Sequence, residues 1–198
     1  MGAIETVMLD LACSQVGKHF GLPTHGYMVA TESKCVDAQA GMESATSAAL
    51  GALAGINMIS GAGMLDSLAC HSPEKLVLDA ETIAMAQRLL QGVQPRSESL
   101  ALDMFAKAGP LGDFLKLPDT RKLFRVEQHI PSKVIDRHSL GTWEQEGKRD
   151  AFARAKVRVQ ELLATYKRPQ IPTNVEQSLR EKMLQLSQRE GLDHLPGI

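Results

Sequence analysis

Residues 24–31, Thr-His-Gly-Tyr-Met-Val-Ala-Thr, and residues 57–62, Asn-Met-Ile-Ser-Gly-Ala, decide the fold. Each is a short run bounded by turn formers, Gly21-Leu22-Pro23 before the first and Gly55 before the second, and each reads as a strand. Between them, residues 37–54 read as a helix opened by Asp37, whose carboxylate can accept from the free amides of the first turn. Its body is almost all Ala, Gly and Ser, so the helix can approach a sheet closely. Upstream, Ile4, Val7, Met8, Leu11, Ala12, Val16 and Phe20 recur at helical spacing. Downstream, residues 63–71 read as a loop. Ser72-Pro73 then gives an N-cap with proline at the first helical position, and Leu76, Ala80, Ile83 and Leu90 form the expected inner face. Helices alternating with strands imply parallel βαβ units with right-handed crossovers.

Past Gln94 the texture changes. Residues 97–107 predict a short helix, 108–120 a Gly/Pro-rich connection, and 121–140 a mixed stretch. A long helix is expected over 143–166, with Phe152, Ala155, Val159, Leu162 and Tyr166 on one face. After the extended Arg168-Pro169-Gln170-Ile171-Pro172, Thr173 or Asn174 is placed to cap a last helix with Val175, Leu179, Met183 and Leu186 inward. Two strands do not make a stable parallel sheet, which needs both faces covered. A (β/α)8 barrel takes about 250 residues. The 198-residue chain therefore predicts an α/β fold: the C-terminal part of a TIM-type barrel over residues 1–94, then a helical extension over 95–198.

Composition excludes several classes. The formal net charge is -1 and no Lys/Arg block stands out, so no footprint for nucleic acid is visible. Cys13, Cys35 and Cys70 are odd in number, far apart and form no CxxC pair, which argues against a disulfide framework or a structural zinc site. No signal-peptide pattern and no apolar run long enough for a bilayer occur, so a cytoplasmic protein is expected. No GxGxxG or P-loop pattern is present, which ranks a phosphate-binding enzyme last.

Several words then stand in order: Gly21-Leu22-Pro23, Thr31-Glu32-Ser33-Lys34, Asp37-Ala38-Gln39-Ala40-Gly41-Met42-Glu43, Ala52-Leu53-Ala54-Gly55-Ile56-Asn57, Gly61-Ala62-Gly63-Met64-Leu65-Asp66-Ser67 and Glu74-Lys75-Leu76-Val77-Leu78-Asp79-Ala80-Glu81. Weaker words follow at Gly112-Asp113-Phe114-Leu115, Arg125-Val126-Glu127, Asp136-Arg137, Trp143-Glu144-Gln145-Glu146-Gly147 and Arg154-Ala155-Lys156. Together they resemble the C-terminal portion of the trimethylamine methyltransferase family, which includes glycine betaine methyltransferases. The chain departs from the family's pattern at Glu32, where Asp is usual, and at Leu117-Pro118-Asp119-Thr120, where His is frequent.

The resemblance implies transfer of a methyl group from a methylated amine or betaine to the Co(I) corrinoid of a separate carrier protein. This chain itself would bind no cofactor and no metal. It also implies that most of the barrel lies upstream of Met1. A truncated, non-catalytic module that keeps the partner-docking surface is the alternative. Exposed strand edges further predict self-association into a homo-oligomer.

In a parallel barrel the active site lies at the C-terminal strand ends. The two strands here end at Thr31-Glu32-Ser33-Lys34 and at Ser60-Gly61-Ala62-Gly63. Glu32 is the expected catalytic carboxylate, stabilising a cationic amine, or else a partner of Lys34 in solvent. Thr31, Ser33 and Lys34 would line the ligand, although a surface lysine is the commoner case. Gln39 and Glu43 share a helical face and are expected to orient the loop. Gly61 and Gly63 would let a large cofactor approach the backbone, or only mark a tight turn. His25 and His71 read as structural or loop residues. Cys35 and Cys70 have no evident base beside them. A quaternary ammonium favours aromatic faces, and only Tyr27 lies near this region.

Overall fold

The computed structural model describes residues 1–96, 101–192 and 194, and it divides into two compact units, Met1–Leu162 and Leu163–Ile198. The first unit begins with helix α1 (Ile4–His19), strand β1 (His25–Gly26), helix α2 (Ala38–Leu53) and strand β2 (Met58–Ile59). β1 and β2 pair in parallel, with His25 opposite Met58 and Gly26 opposite Ile59. The ladder is continued by Met58 N–H donating to the Thr24 carbonyl and Ser60 N–H donating to that of Gly26. The helix–strand–helix–strand–helix order expected from the sequence is present.

The strands are shorter than expected, and the backbone gives the reason. Val29 adopts φ 69°, a left-handed conformation that a β-branched residue avoids, so the extended run stops at Met28. Gly61 has φ 138°, which ends the second run. Residues 63–71, expected to be a plain loop, contain an antiparallel pair, β3 (Met64–Leu65) with β4 (Cys70–His71). Its tip holds Asp66, Ser67 and Leu68 at positive φ.

Helix α2 starts where Asp37 accepts from Ala40 N–H, and helix α3 (Pro73–Leu90) starts where Ser72 accepts from Lys75 N–H. The small-residue body of α2 does allow close approach. A Cβ on Gly51 would lie 2.6 Å from Met28 Sδ and 2.9 Å from Ile59 Cδ1. Val7, Met28, Val29, Ala48, Ile56 and Ala86 form the buried apolar core, with Leu11, Ile59 and Ile83 packed against it. The expected inner face of α3 needs correction. Leu76, Ala80 and Leu90 are exposed, and the buried positions are Lys75, Asp79 and Ala86. The helix is turned so that a polar stripe faces the loops rather than solvent.

Beyond residue 94 the described residues carry helices and connections and no strand. Helix α4 spans Leu102–Ala108, and positions 97–100 of the expected helix lie outside the described residues. The mixed stretch contains α5 (Pro118–Glu127). The long helix expected over 143–166 is broken: α6 (Leu140–Gln145) ends before Gly147 and Lys148 at positive φ, and α7 (Ala151–Thr165) follows. Of its expected face Ala155 is buried, whereas Phe152, Leu162 and Tyr166 are exposed. In the second unit α8 (Thr173–Arg189) begins after Pro172 with no side-chain cap, and Val175, Leu179, Met183 and Leu186 are exposed rather than inward. Among the described residues of that unit α8 is the only full helix, so its apolar stripe has no second full helix to pack on.

The architecture is thus a mostly helical α/β chain, and no closed barrel is found among the described residues. No helix among the described residues is long and apolar enough to cross a membrane.

Two glycines separate backbone need from helix composition. A Cβ on Gly61 would stand 2.5 Å from the Met28 carbonyl, at a φ that L-residues rarely adopt. Gly61→Ala should cost about 2 kcal/mol or more in urea unfolding. Gly41, exposed inside α2 with nothing near its Cβ position, should gain about 0.5–1 kcal/mol when changed to Ala.

Candidate functional site

Thr31, Glu32, Ser33 and Lys34 follow β1, and Gly61 to Gly63 follow β2. Backbone bonds tie the two stretches together. Thr31 N–H donates to the Met64 carbonyl, Ser67 N–H to that of Thr31, and Asp66 N–H to that of Ser33. Met64 N–H donates to the Gly61 carbonyl, and a Cβ on Gly61 would touch Ala30. Sequence reasoning placed these words at neighbouring strand tips, and the chain does bring them side by side.

The side chains divide into anchors and exposed groups. Thr31 has 0% exposure. Its hydroxyl donates to Glu43 Oε2 at 2.5 Å and accepts from Ser33 N–H. Ser33 is buried too, with its hydroxyl bonded to the Cys35 carbonyl and to Asp37. Both hydroxyls are therefore engaged within the loop. Glu43 Oε2 also accepts from Glu32 N–H at 2.7 Å, and Gln39 Nε2 donates to Glu43 Oε1 at 2.8 Å. The α2 face expected to orient the loop thus meets it through one carboxylate.

Glu32 and Lys34 remain partly open to solvent. The Glu32 carboxylate lies 3.0 Å from the Met1 ammonium, and its expected solvent partner Lys34 instead reaches Asp66 at 3.2 Å and the Glu32 carbonyl at 2.8 Å. The space a Cβ would need at Gly61 and Gly63 is filled by the chain's own atoms: Met28 and Ala30 at the first, His71 and Leu76 at the second. Their glycines answer to the turn.

Sequence reasoning missed a buried ion pair beneath the loops. Lys75 is 1% exposed and Asp79 is 3% exposed. Lys75 Nζ donates to Asp79 Oδ2 at 2.5 Å, to Ser44 Oγ at 2.9 Å and to the Val29 carbonyl at 2.9 Å. Three acceptors match the three protons of an ammonium. Asp79 Oδ2 also accepts from Gly63 N–H at 2.7 Å. This pair joins the end of β1, the start of the β3–β4 loop, α2 and α3. The only signal in the sequence is an i,i+4 Lys/Asp pair enclosing Leu76-Val77-Leu78, which a solvated helix face produces equally well.

Two electrostatic shifts follow from these contacts. Asp37 is held below the usual carboxylate range first by Ala40 N–H and further by the Ser33 hydroxyl. At Glu43 burial pushes upward, but Thr31, Gln39, Glu32 N–H and the Met1 ammonium outweigh it, leaving a net lowering. Among the described residues no three His, Cys, Asp or Glu side chains gather as a metal site. Surface clefts of about 470 Å³ beside Phe124 and about 560 Å³ beside Pro172 contain none of the expected site residues.

Comparison with known proteins adds an independent line. The family described as trimethylamine methyltransferase (MTTB) matches residues 1–190. A trimethylamine methyltransferase of Methanosarcina mazei is 33% identical over 175 residues, covering 88% of this chain and 35% of that protein. One from Methanosarcina barkeri is 32% identical over 166 residues, covering 84% of this chain and 33% of that protein. A glycine betaine methyltransferase of Desulfitobacterium hafniense is 31% identical over 192 residues, covering 96% of this chain and 40% of that protein. The chain thus spans between 33% and 40% of the length of these curated relatives.

Breaking the buried pair should be severe. Lys75→Met alone should cost about 3–5 kcal/mol by leaving Asp79 uncompensated, and the Lys75→Met/Asp79→Leu double variant should regain much of that loss in denaturant titration. For Glu43, a lowered folded pKa means that the native state binds fewer protons than the unfolded chain. Its stabilisation is present above the unfolded pKa and is lost as pH falls through the folded value. Acid unfolding of Glu43→Gln should therefore lose part of the pH dependence below the ordinary glutamate range, with little change at neutral pH beyond a constant offset.

Proposed function

This chain belongs to the trimethylamine methyltransferase family, and from that footing we propose that it carries part of a catalyst for methyl transfer from a methylated amine or betaine. The family is one of methyltransferases, and the substrates in the relatives' names are trimethylamine and glycine betaine. The methyl acceptor in this reading is the Co(I) corrinoid of a separate carrier protein, which enters as a second substrate. Cobalt supplies the electron pair for the new bond, the C–N bond breaks, and the amine leaves with the old pair.

The observation that carries the proposal is the joining of the Thr31–Lys34 and Gly61–Gly63 tips at one end of the parallel strands. Polar loops at the carboxyl ends of parallel strands are where such folds bind ligands. The residues' tasks follow from their geometry. Glu43, Ser44, Ser47, Lys75 and Asp79 hold the loops from the helix side. Glu32, partly exposed on a backbone fixed by Glu43, takes the substrate ammonium in place of the Met1 ammonium that it holds in the structure. Lys34, drawn toward Asp66, stands beside it as the contact for a substrate carboxylate or a corrinoid side chain.

The charge argument fixes which kinetic constant should move. The amine nitrogen is fully cationic before transfer and loses charge as the methyl departs, so a carboxylate helps binding more than it helps the transition state. Glu32→Gln should raise KM roughly tenfold while changing kcat by less than about threefold. The assay follows cob(I)alamin consumption by visible absorbance with trimethylamine and with glycine betaine. Absence of methylated cobalt with either donor, from folded protein carrying this chain and supplied with a corrinoid protein, would sink the catalytic reading.

A further inference from the structure

Asp66, Ser67 and Leu68, at the tip between β3 and β4, stand at φ 49°, 53° and 79°. Three left-handed residues in a row, none of them glycine, cost free energy that an ordinary turn avoids. Strain of this kind persists only where surrounding contacts over-determine it, and ligand clamps are one such place. Here the loop after β1 supplies the contacts. Asp66 N–H donates to the Ser33 carbonyl at 3.0 Å, and Ser67 N–H donates to that of Thr31 at 3.0 Å. Thr31 N–H donates in turn to the Met64 carbonyl, at the foot of the same hairpin. The strained backbone delivers a side chain to the loop: Asp66 Oδ1 lies 3.2 Å from Lys34 Nζ.

We infer that Asp66 is a specificity-determining residue, which by occupying Lys34 selects methylated amines that carry no carboxylate over zwitterionic betaines. The inference rests on the methyl-transfer reading of the strand tips and names the substrate class within it.

The charges give the direction. Lys34 is the cation that a substrate carboxylate would meet at these tips, and its ammonium has three protons. One is donated to the Glu32 carbonyl at 2.8 Å, and another faces the Asp66 carboxylate. A betaine carboxylate arriving there meets a cation already compensated, with a like charge beside it. Glu32 and Asp66 together outweigh Lys34, so the side chains favour a ligand that is purely cationic. Without the Asp66 charge, Glu32 and Lys34 would balance and match the two ends of a zwitterion.

The test is isothermal titration calorimetry of folded protein carrying this chain, with glycine betaine and tetramethylammonium as probes. Low ionic strength keeps the screening of partly exposed charges small. Asp66→Asn preserves shape, and asparagine tolerates a left-handed backbone, so the tip stays in place. It should raise the affinity ratio of glycine betaine to tetramethylammonium about fivefold, with thermal unfolding close to that of the unsubstituted protein. The Lys34→Met/Asp66→Asn double variant should keep a ratio within about twofold of Lys34→Met alone, because the gain acts through the ammonium. Ser67→Gly relieves the backbone but keeps the charge, and should leave the ratio as it is. An Asp66→Asn ratio within about twofold of the unsubstituted one would overturn the inference. An equal shift from Ser67→Gly, survival of the gain in the double variant, or no binding of either probe would do so as well. A shifted ratio without methyl transfer would leave the role of Asp66 standing and remove the catalytic reading. Methyl transfer with an unshifted ratio would do the reverse.

Discussion

The Lys75 ammonium under the strand tips is the contact on which the rest of the first unit depends. It is nearly sealed from solvent, and a buried cation persists only if each proton is accepted. The three acceptors come from the β1 loop, from α2 and from α3 itself. Val29 shows what this network holds in place. A β-branched residue at φ 69° costs on the order of 1–3 kcal/mol. Its N–H donates to Ser47, and its carbonyl accepts from both Ser44 and Lys75. Helix side chains thereby replace the sheet partners that the backbone gives up when it turns.

That turn divides the molecule by chemistry. On the helix side of the parallel pair lie Gly26, Met28 and Ile59, packed against α1 and α2, and the polar anchors beneath the loops. On the other side lie His25, Tyr27, Met58 and Ser60 with partly exposed polar and aromatic groups. Thr31 and Ser33, polar residues in the family-like words, belong to the anchoring side because their hydroxyls are already bonded. Glu32, between them, keeps its carboxylate at the surface, where it pairs with the Met1 ammonium. Alternate residues of one loop thus serve support and exposure.

Local signals made several elements legible. Asp37 and Ser72-Pro73 announced their helices because capping depends on a few adjacent residues and on no distant partner. The small-residue body of α2 announced close packing, and Gly51 is where it occurs. The β3–β4 pair was not legible. Two residues per strand give no periodicity, and Asp66, Ser67 and Leu68 at positive φ are not the glycines that mark such tips. The break between α6 and α7 was hidden in the same way, since Lys148 is an ordinary helix former in sequence and left-handed in the chain.

What the sequence determined by itself is therefore where α2 and α3 begin, where the two strand runs lie, and which polar words follow them, because each depends on neighbours within a few positions. Only the tertiary structure decided which side of α3 is buried. Leu76 and Leu90 looked like the inner face, yet Lys75 and Asp79 occupy it. The reason is that burial of an ion pair is settled by acceptors 46 and 31 residues away along the chain, at Val29 and Ser44, and no spacing within a helix encodes whether those acceptors will arrive.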